Sequence, residues 1–341
     1  MAIDDRKQRV LRAIGSLYGT EGEPVGSGVL AQYFDMAVSS ATLRNEMAAL
    51  TRLGLLEQPH TSAGRVPSAK GYRYYIDNLL ESGTVLGKAQ QREIDDIFRE
   101  LDYDPARLAE GAAKALAQRT GLSVVATTPR SEDATVAHYE LIQVGRSNVA
   151  VLAVTNAGSV RTRVARLDAA ANPAQLAAVS KAVNALLTFR AAADITLPQV
   201  QAIATASGQN GEAMLPVVKA AYQLLAEAGT ASVFLEGQQN LLHYRELYDS
   251  LQTLMDLFSN EDAVQAYVSP RSERVTVLLG DDMPRYNMPG LCIISKQYVA
   301  GGGRRGALAV AGPTRVPYME VIPQLEYFAL LLGQAMTGLT E

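Results

Sequence analysis

The side chains with the most chemistry to offer lie in residues 23–73, EPVGSGVLAQYFDMAVSSATLRNEMAALTRLGLLEQPHTSAGRVPSAKGYR. Ser39, Ser40, Thr42, Arg44 and Asn45 crowd into one short run. A guanidinium can pair bidentately with the major-groove edge of guanine, and an asparagine amide with that of adenine. Serine and threonine are small enough to let a backbone approach a duplex, and their hydroxyls bond phosphate. Further on, His60, Thr61, Ser62 and Arg65 surround a turn-rich run, and Lys70 and Arg73 follow as two more cations. The whole set suits double-stranded DNA. The first group would meet base edges, and the second the phosphate backbone or a minor groove.

Local sequence says which elements would position these groups. Ser39 is a candidate N-cap, because its hydroxyl can accept from the free N–H groups of a helix start. A helix over 40–53 puts Leu43, Met47, Leu50 and Leu53 on one buried stripe. Gly54 then falls where a helix end needs a left-handed residue. With the stripe inward, Ser39, Ser40, Thr42, Arg44 and Asn45 face outward at the N-terminal half, as a recognition helix presents itself to a groove. The helix N-terminus adds its own attraction for phosphate. Upstream, Ser27 is expected to cap a short helix over 28–33, with Val29 and Leu30 inward, and 34–38 form the turn. Downstream, 55–58 and 65–66 read as short strands around the tip PHTSAG, Pro67 closes the hairpin, and a helix from about Ser68 runs to Leu80. Preceded by a helix from Asp4 or Asp5 carrying Val10, Leu11, Ile14 and Leu17, this is a winged helix-turn-helix over residues 1–80. Its charge is nearly balanced, nine Lys/Arg against eight Asp/Glu, so any basic footprint depends on clustering on one face.

At 341 residues the chain should hold two or three domains. It is 48% hydrophobic and 19% charged with a net charge of −4, a globular composition and not that of a polybasic nucleic-acid coat. The single cysteine, Cys292, sits in an apolar run and reads as a buried core thiol, which excludes a disulfide framework and a cysteine-based zinc site. No apolar run approaches the ~18 residues of a membrane span, so a cytoplasmic protein without membrane contact is expected. His138 and His243 stand alone, and no nucleophile elbow, HExxH or paired histidine is present. Catalysis, a cofactor and a metal are not expected. GGGRRG at 301–306 lacks the phosphate-loop pattern and reads as a basic hairpin turn, and Asp281-Asp282 as a solvated turn.

Along the rest of the chain, 88–101 reads as a helix with Ile94, Ile97, Phe98 and Leu101 on one stripe. Asp104-Pro105 opens another that stops at Gly121, and 122–127 is a strand. Residues 136–144, 149–155 and 160–167 form a three-stranded meander. Helices follow over 173–189, 198–206 and 215–228. A third section starts at 232–235, continues as one amphipathic helix over 240–258, and has strands at 274–279, 291–295, 297–299 and 306–311 and a closing helix within 316–339. A mixed sheet with flanking helices is expected there.

The runs EPVGS, VSSATLRNEMAALTRLGLLEQPHTSAGRVP and KGYRYYID, with SVFLEGQQNLL, CIISKQYVAGG and VAGPTRVPY further on, resemble the HrcA family, the heat-inducible transcription repressors. That resemblance spans nearly the whole chain and implies what periodicity does not. To the winged helix-turn-helix at 1–80 and a helical linker at 81–103 it adds a GAF-like mixed α/β domain at 104–129 plus 231–341, an α+β multidomain architecture. Within the GAF-like domain lies an inserted dimerisation domain of three strands plus helices at 130–230. It further implies a homodimer, an inverted-repeat operator called CIRCE upstream of chaperone operons, and the GroE chaperonin as the partner that keeps the repressor active. Two alternatives remain on sequence alone: a GAF-type regulator that senses a small molecule, and an adaptor using its winged helix for protein contacts.

Overall fold

The structure, a computed structural model, describes the chain apart from residues 1–2, 61–62, 81–85, 131–133, 157, 171, 206–210, 270–272, 284 and 339–341. The sequence expectations for Thr61 and Ser62 therefore lie outside the described residues. The N-terminal unit holds α1 (Asp5–Glu21), α2 (Ser27–Tyr33), α3 (Ser40–Arg52), β1 (Leu56–Glu57), β2 (Val66–Pro67) and α4 (Ala69–Asn78). α5 (Lys88–Glu100), α6 (Pro105–Thr120) and β3 (Ser123–Thr127) lead into the meander β4 (Val136–Gln143), β5 (Asn148–Thr155) and β6 (Val160–Arg166). Then come α7 (Pro173–Leu187), α8 (Leu197–Thr205), α9 (Leu215–Glu227), β7 (Val233–Glu236), α10 (Leu251–Phe258), α11 (Glu261–Val268), β8 (Thr276–Leu279), β9 (Leu291–Val299), β10 (Arg305–Pro313) and α12 (Tyr318–Gly338).

Among the described residues the strands form three sheets, β1-β2, β4-β5-β6 and a central β7-β3-β10-β9-β8. Every ladder is antiparallel. The expected mixed sheet is thus corrected, and sheets with helices on their faces make the chain α+β. β3 enters the central sheet early in sequence and β7 pairs with it after the meander and α7–α9. The segment between them has its own core, in which Tyr139, Val149 and Val151 of the sheet pack with Val179, Val183, Val217 and Leu224 of the helices.

Three further expectations are corrected. The single helix over 240–258 is broken into two 3-10 segments, Gln238–His243 and Arg245–Ser250, before α10. Tyr244 is extended at the break (φ −103°, ψ 101°), and its ring lies under the Arg315 guanidinium, 5.4 Å away. The two strands at 291–295 and 297–299 are one, because Lys296 stays in the ladder with Nζ bonded to the Glu273 carbonyl at 2.6 Å. Finally, α11 was not expected, although Asn260 caps it, accepting from Ala263 N at 3.0 Å, with Glu261 and Asp262 in its first turn.

The N-terminal unit shares an apolar core with the central domain. Leu11, Ile14, Leu50, Tyr72 and Tyr75 belong to one buried cluster with Val316, Tyr318 and Phe328. The Tyr75 and Tyr318 rings meet at 5.9 Å, tilted by 47°, and a Cβ on Gly19 would meet the Arg315 carbonyl at 2.8 Å. Arg73 of α4 pairs with Asp282, an exposed residue of the turn that follows β8.

Candidate nucleic-acid interface

The N-terminal half of α3 is built as expected. Ser39 Oγ accepts from Thr42 N at 3.1 Å and lies 2.9 Å from Thr42 Oγ1, closing the cap. Leu43, Met47 and Leu50 are buried, Leu53 half-buried, and Gly54 takes φ +72°. The opposite surface therefore carries Ser39, Ser40, Arg44 and Asn45 exposed, with Thr42 half-buried beside them. Glu46, on the flank, accepts from Lys7 Nζ at 3.3 Å and lies 3.9 Å from Arg6, which ties α3 to α1.

α2 differs from its expectation. It starts at Ser27, with Gly26 at the cap and no side-chain cap bond, and Val29 is 44% exposed while Leu30 is buried. A seven-residue helix has room for only a narrow inward stripe, which Leu30 and Ala31 fill. The turn to α3 passes through Asp35 (φ 49°) and Met36 (φ 59°).

The hairpin after α3 is short but pinned. Leu56 faces Pro67 and Glu57 faces Val66, and a third segment joins where Val25 and Arg65 exchange backbone bonds of 3.0 and 2.9 Å. Close approach there demands Gly64, since a Cβ at that position would lie 2.4 Å from the Val25 carbonyl. Gln58 Nε2 donates to the Ala63 carbonyl at 3.0 Å and Ala63 N to that of His60 at 2.9 Å, closing the tip. His60 is exposed.

The cations divide by duty. Arg65 is half-buried, and its Nε donates to Thr51 Oγ1 at 3.2 Å, tying the hairpin to the end of α3. Lys70 Nζ donates to the Leu53 carbonyl at 3.0 Å, where a cation complements the α3 C-terminus. Arg73 is engaged by Asp282. α4 itself is capped by Ser68, whose Oγ accepts from Gly71 N at 3.0 Å and donates to the Gly54 carbonyl at 2.6 Å. The structure thus gathers Ser39, Ser40, Thr42, Arg44 and Asn45 on one helix face, sets His60 and Arg65 on the adjoining hairpin, and turns Lys70 and Arg73 to contacts within the protein. Thr51, Gln58 and Gly64, which brace the hairpin, were not singled out from sequence. The glycine before a return strand was the one available signal.

No helix among the described residues is long and apolar enough to cross a membrane. The family model for the HrcA protein C-terminal domain matches residues 106–322. The heat-inducible transcription repressor HrcA of Desulforudis audaxviator is 33% identical over 347 residues, covering 99% of this chain and 99% of that one. The protein of the same name from Acetivibrio thermocellus is 28% identical, over 96% of this chain and 94% of its own. A crystal structure of a hypothetical protein, 22% identical, shares the fold with a TM-score of 0.68 over 99% of this chain and 100% of that chain.

Proposed function

The chain belongs to the HrcA family of heat-inducible transcription repressors, and from that premise we propose that it represses chaperone operons of the GroE and DnaK type by binding an inverted-repeat CIRCE operator as a cytoplasmic homodimer. On this reading residues 1–80 work as a winged helix-turn-helix, 81–103 as a linker, 104–129 plus 231–341 as a GAF-like domain, and 130–230 as the dimerising insert. The observation that carries it is the outward face of α3. Arg44 and Asn45 are exposed beside a capped helix N-terminus, while Leu43 and Met47 are committed to packing and Glu46 to bracing α1. Two such helices, related by a two-fold axis, would enter the two half-sites of a repeat with matching symmetry. His60 and Arg65 on the hairpin then flank the phosphates, the contact expected from sequence for Thr61 and Ser62 as well. Direct contact by Lys70 or Arg73 requires each to exchange its protein partner for a phosphate.

The dimer finds support in the insert. An antiparallel sheet with one face in water normally turns polar residues outward. Here Ile142 and Val164 flank Ala150, and Val154 pairs with Val160, on the face away from α7 and α9. Val164 is 66% exposed and Val160 53%. His138, Glu140 and Thr162 share that face, and exposed apolar residues set among a few polar ones suit a second copy. GroE, as the family resemblance implies, would maintain the active form by favouring it over an inactive one, a population shift.

The test is fluorescence anisotropy of a labelled CIRCE-type repeat against a scrambled duplex at fixed salt, with and without chaperonin. Preference for the repeat, raised by chaperonin, is the expected result. Equal affinity for both duplexes under both conditions overturns the reading. Sedimentation should give a dimer at micromolar concentration, with Val164→Asp shifting it toward monomer.

A further inference from the structure

The outward face of α3 has a midline, and the helix period locates it. Each residue turns an α-helix by about 100°. Counted from Asn45, the buried Leu43, Met47 and Leu50 fall about 140–200° round the axis. Ala41, Ala48 and Arg52 fall within about 60° of Asn45, on the side away from the core. The positions 41, 45, 48 and 52 therefore make one helical stripe. Ala41, Asn45 and Arg52 are exposed, and Ala48 is half-buried. Arg44 stands about 100° from Asn45, at the edge of this face, and reaches a base from the flank through its long side chain.

Midline residues enter a groove deepest, so their size sets how far the helix sinks. An asparagine amide matches the major-groove edge of adenine. The alanines set one turn to either side of Asn45 offer a methyl group each. Their apolar partner in a major groove is the 5-methyl of thymine. Arg52 lies about 10 Å along the axis from Asn45, close to the ~12 Å width of that groove, which brings its guanidinium to a wall of phosphates. Arg65 is bonded to Thr51, Lys70 to the Leu53 carbonyl and Arg73 to Asp282, whereas Arg52 is exposed. Glu46, the acid of α3, is turned aside to Lys7 of α1 at 3.3 Å, which keeps a carboxylate off the midline.

We propose that α3 docks through this midline. Asn45 reads an adenine, Ala41 and Ala48 pack on thymine methyl groups to either side of it, and Arg52 holds a phosphate of the groove wall. This docking rests on the DNA-binding reading above and adds to it the class of base pair read, A·T beneath the midline.

Uracil is thymine without that methyl, so deoxyuridine scanned through the thymines of the labelled repeat isolates the contact. Anisotropy with the full chain should show a loss of about 4-fold for each methyl that meets an alanine, and about 16-fold when both half-sites are substituted. Ala48→Gly removes the protein's half of one contact, so uracil at that position should cost nothing further. Because glycine also loosens a helix, Ala48→Leu is the second variant. Leucine is a good helix former, so the melting curve should hold. Operator affinity should fall about 5- to 150-fold, the weight of an overpacked contact. Arg52→Gln should weaken binding to the repeat and to a scrambled duplex, and flatten the salt dependence of log K by about one unit for each Arg52. Preference for the repeat with uracil neutral at every thymine, or with an unchanged salt slope in Arg52→Gln, overturns the docking and leaves the repressor reading standing. A chain that prefers neither duplex overturns both.

Discussion

Replacing Arg44 by alanine isolates base recognition from folding. Arg44 is exposed and lies off the buried stripe of Leu43, Met47 and Leu50. Alanine is the better helix former, so the change in stability should stay within about 0.5 kcal/mol. A bidentate arginine–guanine pair discriminates by about 1–3 kcal/mol. The proposed dimer presents Arg44 twice at well-separated sites, so the effects add to about 2–6 kcal/mol. At about 1.4 kcal/mol per decade, operator affinity should fall between about 30-fold and about 10⁴-fold. Anisotropy on the repeat and on a scrambled duplex, at one salt concentration, reads both numbers. The repeat should lose most and the scrambled duplex little, with an unchanged melting curve. Equal losses on both duplexes would move Arg44 to phosphate contact and refute the assignment of α3 as the base-reading element.

Arg65→Ala should weaken binding to both duplexes and flatten the salt dependence of log K by about one unit for each Arg65 that meets a phosphate; an unchanged slope with a lower melting temperature would confine Arg65 to bracing Thr51. Gly64→Ala should displace the hairpin, because its Cβ would sit 2.4 Å from the Val25 carbonyl, and both stability and operator affinity should drop. An unaltered melt would contradict that packing. Alkali should loosen the shared core: burial pushes Tyr75 up to about 12 and Cys292 up to about 12, from ordinary values of 10.0 and 9.0. Both are neutral when folded, so their contribution is complete below about pH 9 and is lost as pH rises through about 12, about 2–3 kcal/mol for Tyr75 at 1.36 kcal/mol per unit. Denaturant melts across that range should show the loss, with a later onset in Cys292→Ala; stability flat to pH 12 would refute it.

What was legible in the sequence was local. Ser39, the Leu43-Met47-Leu50 stripe and Gly54 declare α3 because cap, period and left-handed stop all lie within one helix. The meander declares itself through alternation and through turn residues such as Gly145 at φ +83°. Partners far apart in sequence were not legible. Nothing near Arg73 foretells Asp282, and nothing near Lys296 foretells Leu308, opposite which it stays in the ladder. The break at Tyr244 carries no Gly or Pro, and the residue packed over it, Arg315, lies far along the chain. The candidate site was legible as a set of residue types. Which of its cations face outward was not, since that depends on Thr51 and the Leu53 carbonyl, acceptors at the end of α3.

These tertiary contacts bear on how such a repressor would respond to heat. The N-terminal unit is no head on a flexible tether, because the Tyr75 ring packs against that of Tyr318 and Gly19 seats against the Arg315 carbonyl in a continuous core. In the proposed dimer the spacing of the two α3 helices is then set by the central domains and by the angle at which each meets its insert. A tilt at the crossings, Thr128-Pro129 and Thr230–Ser232, would move a recognition helix off its half-site without disturbing α3. Loss of repression therefore needs no unfolding of the DNA-reading unit. Operator affinity should fall before the far-ultraviolet signal of the helices does as temperature rises. Coincident transitions would place the thermal switch in global unfolding instead.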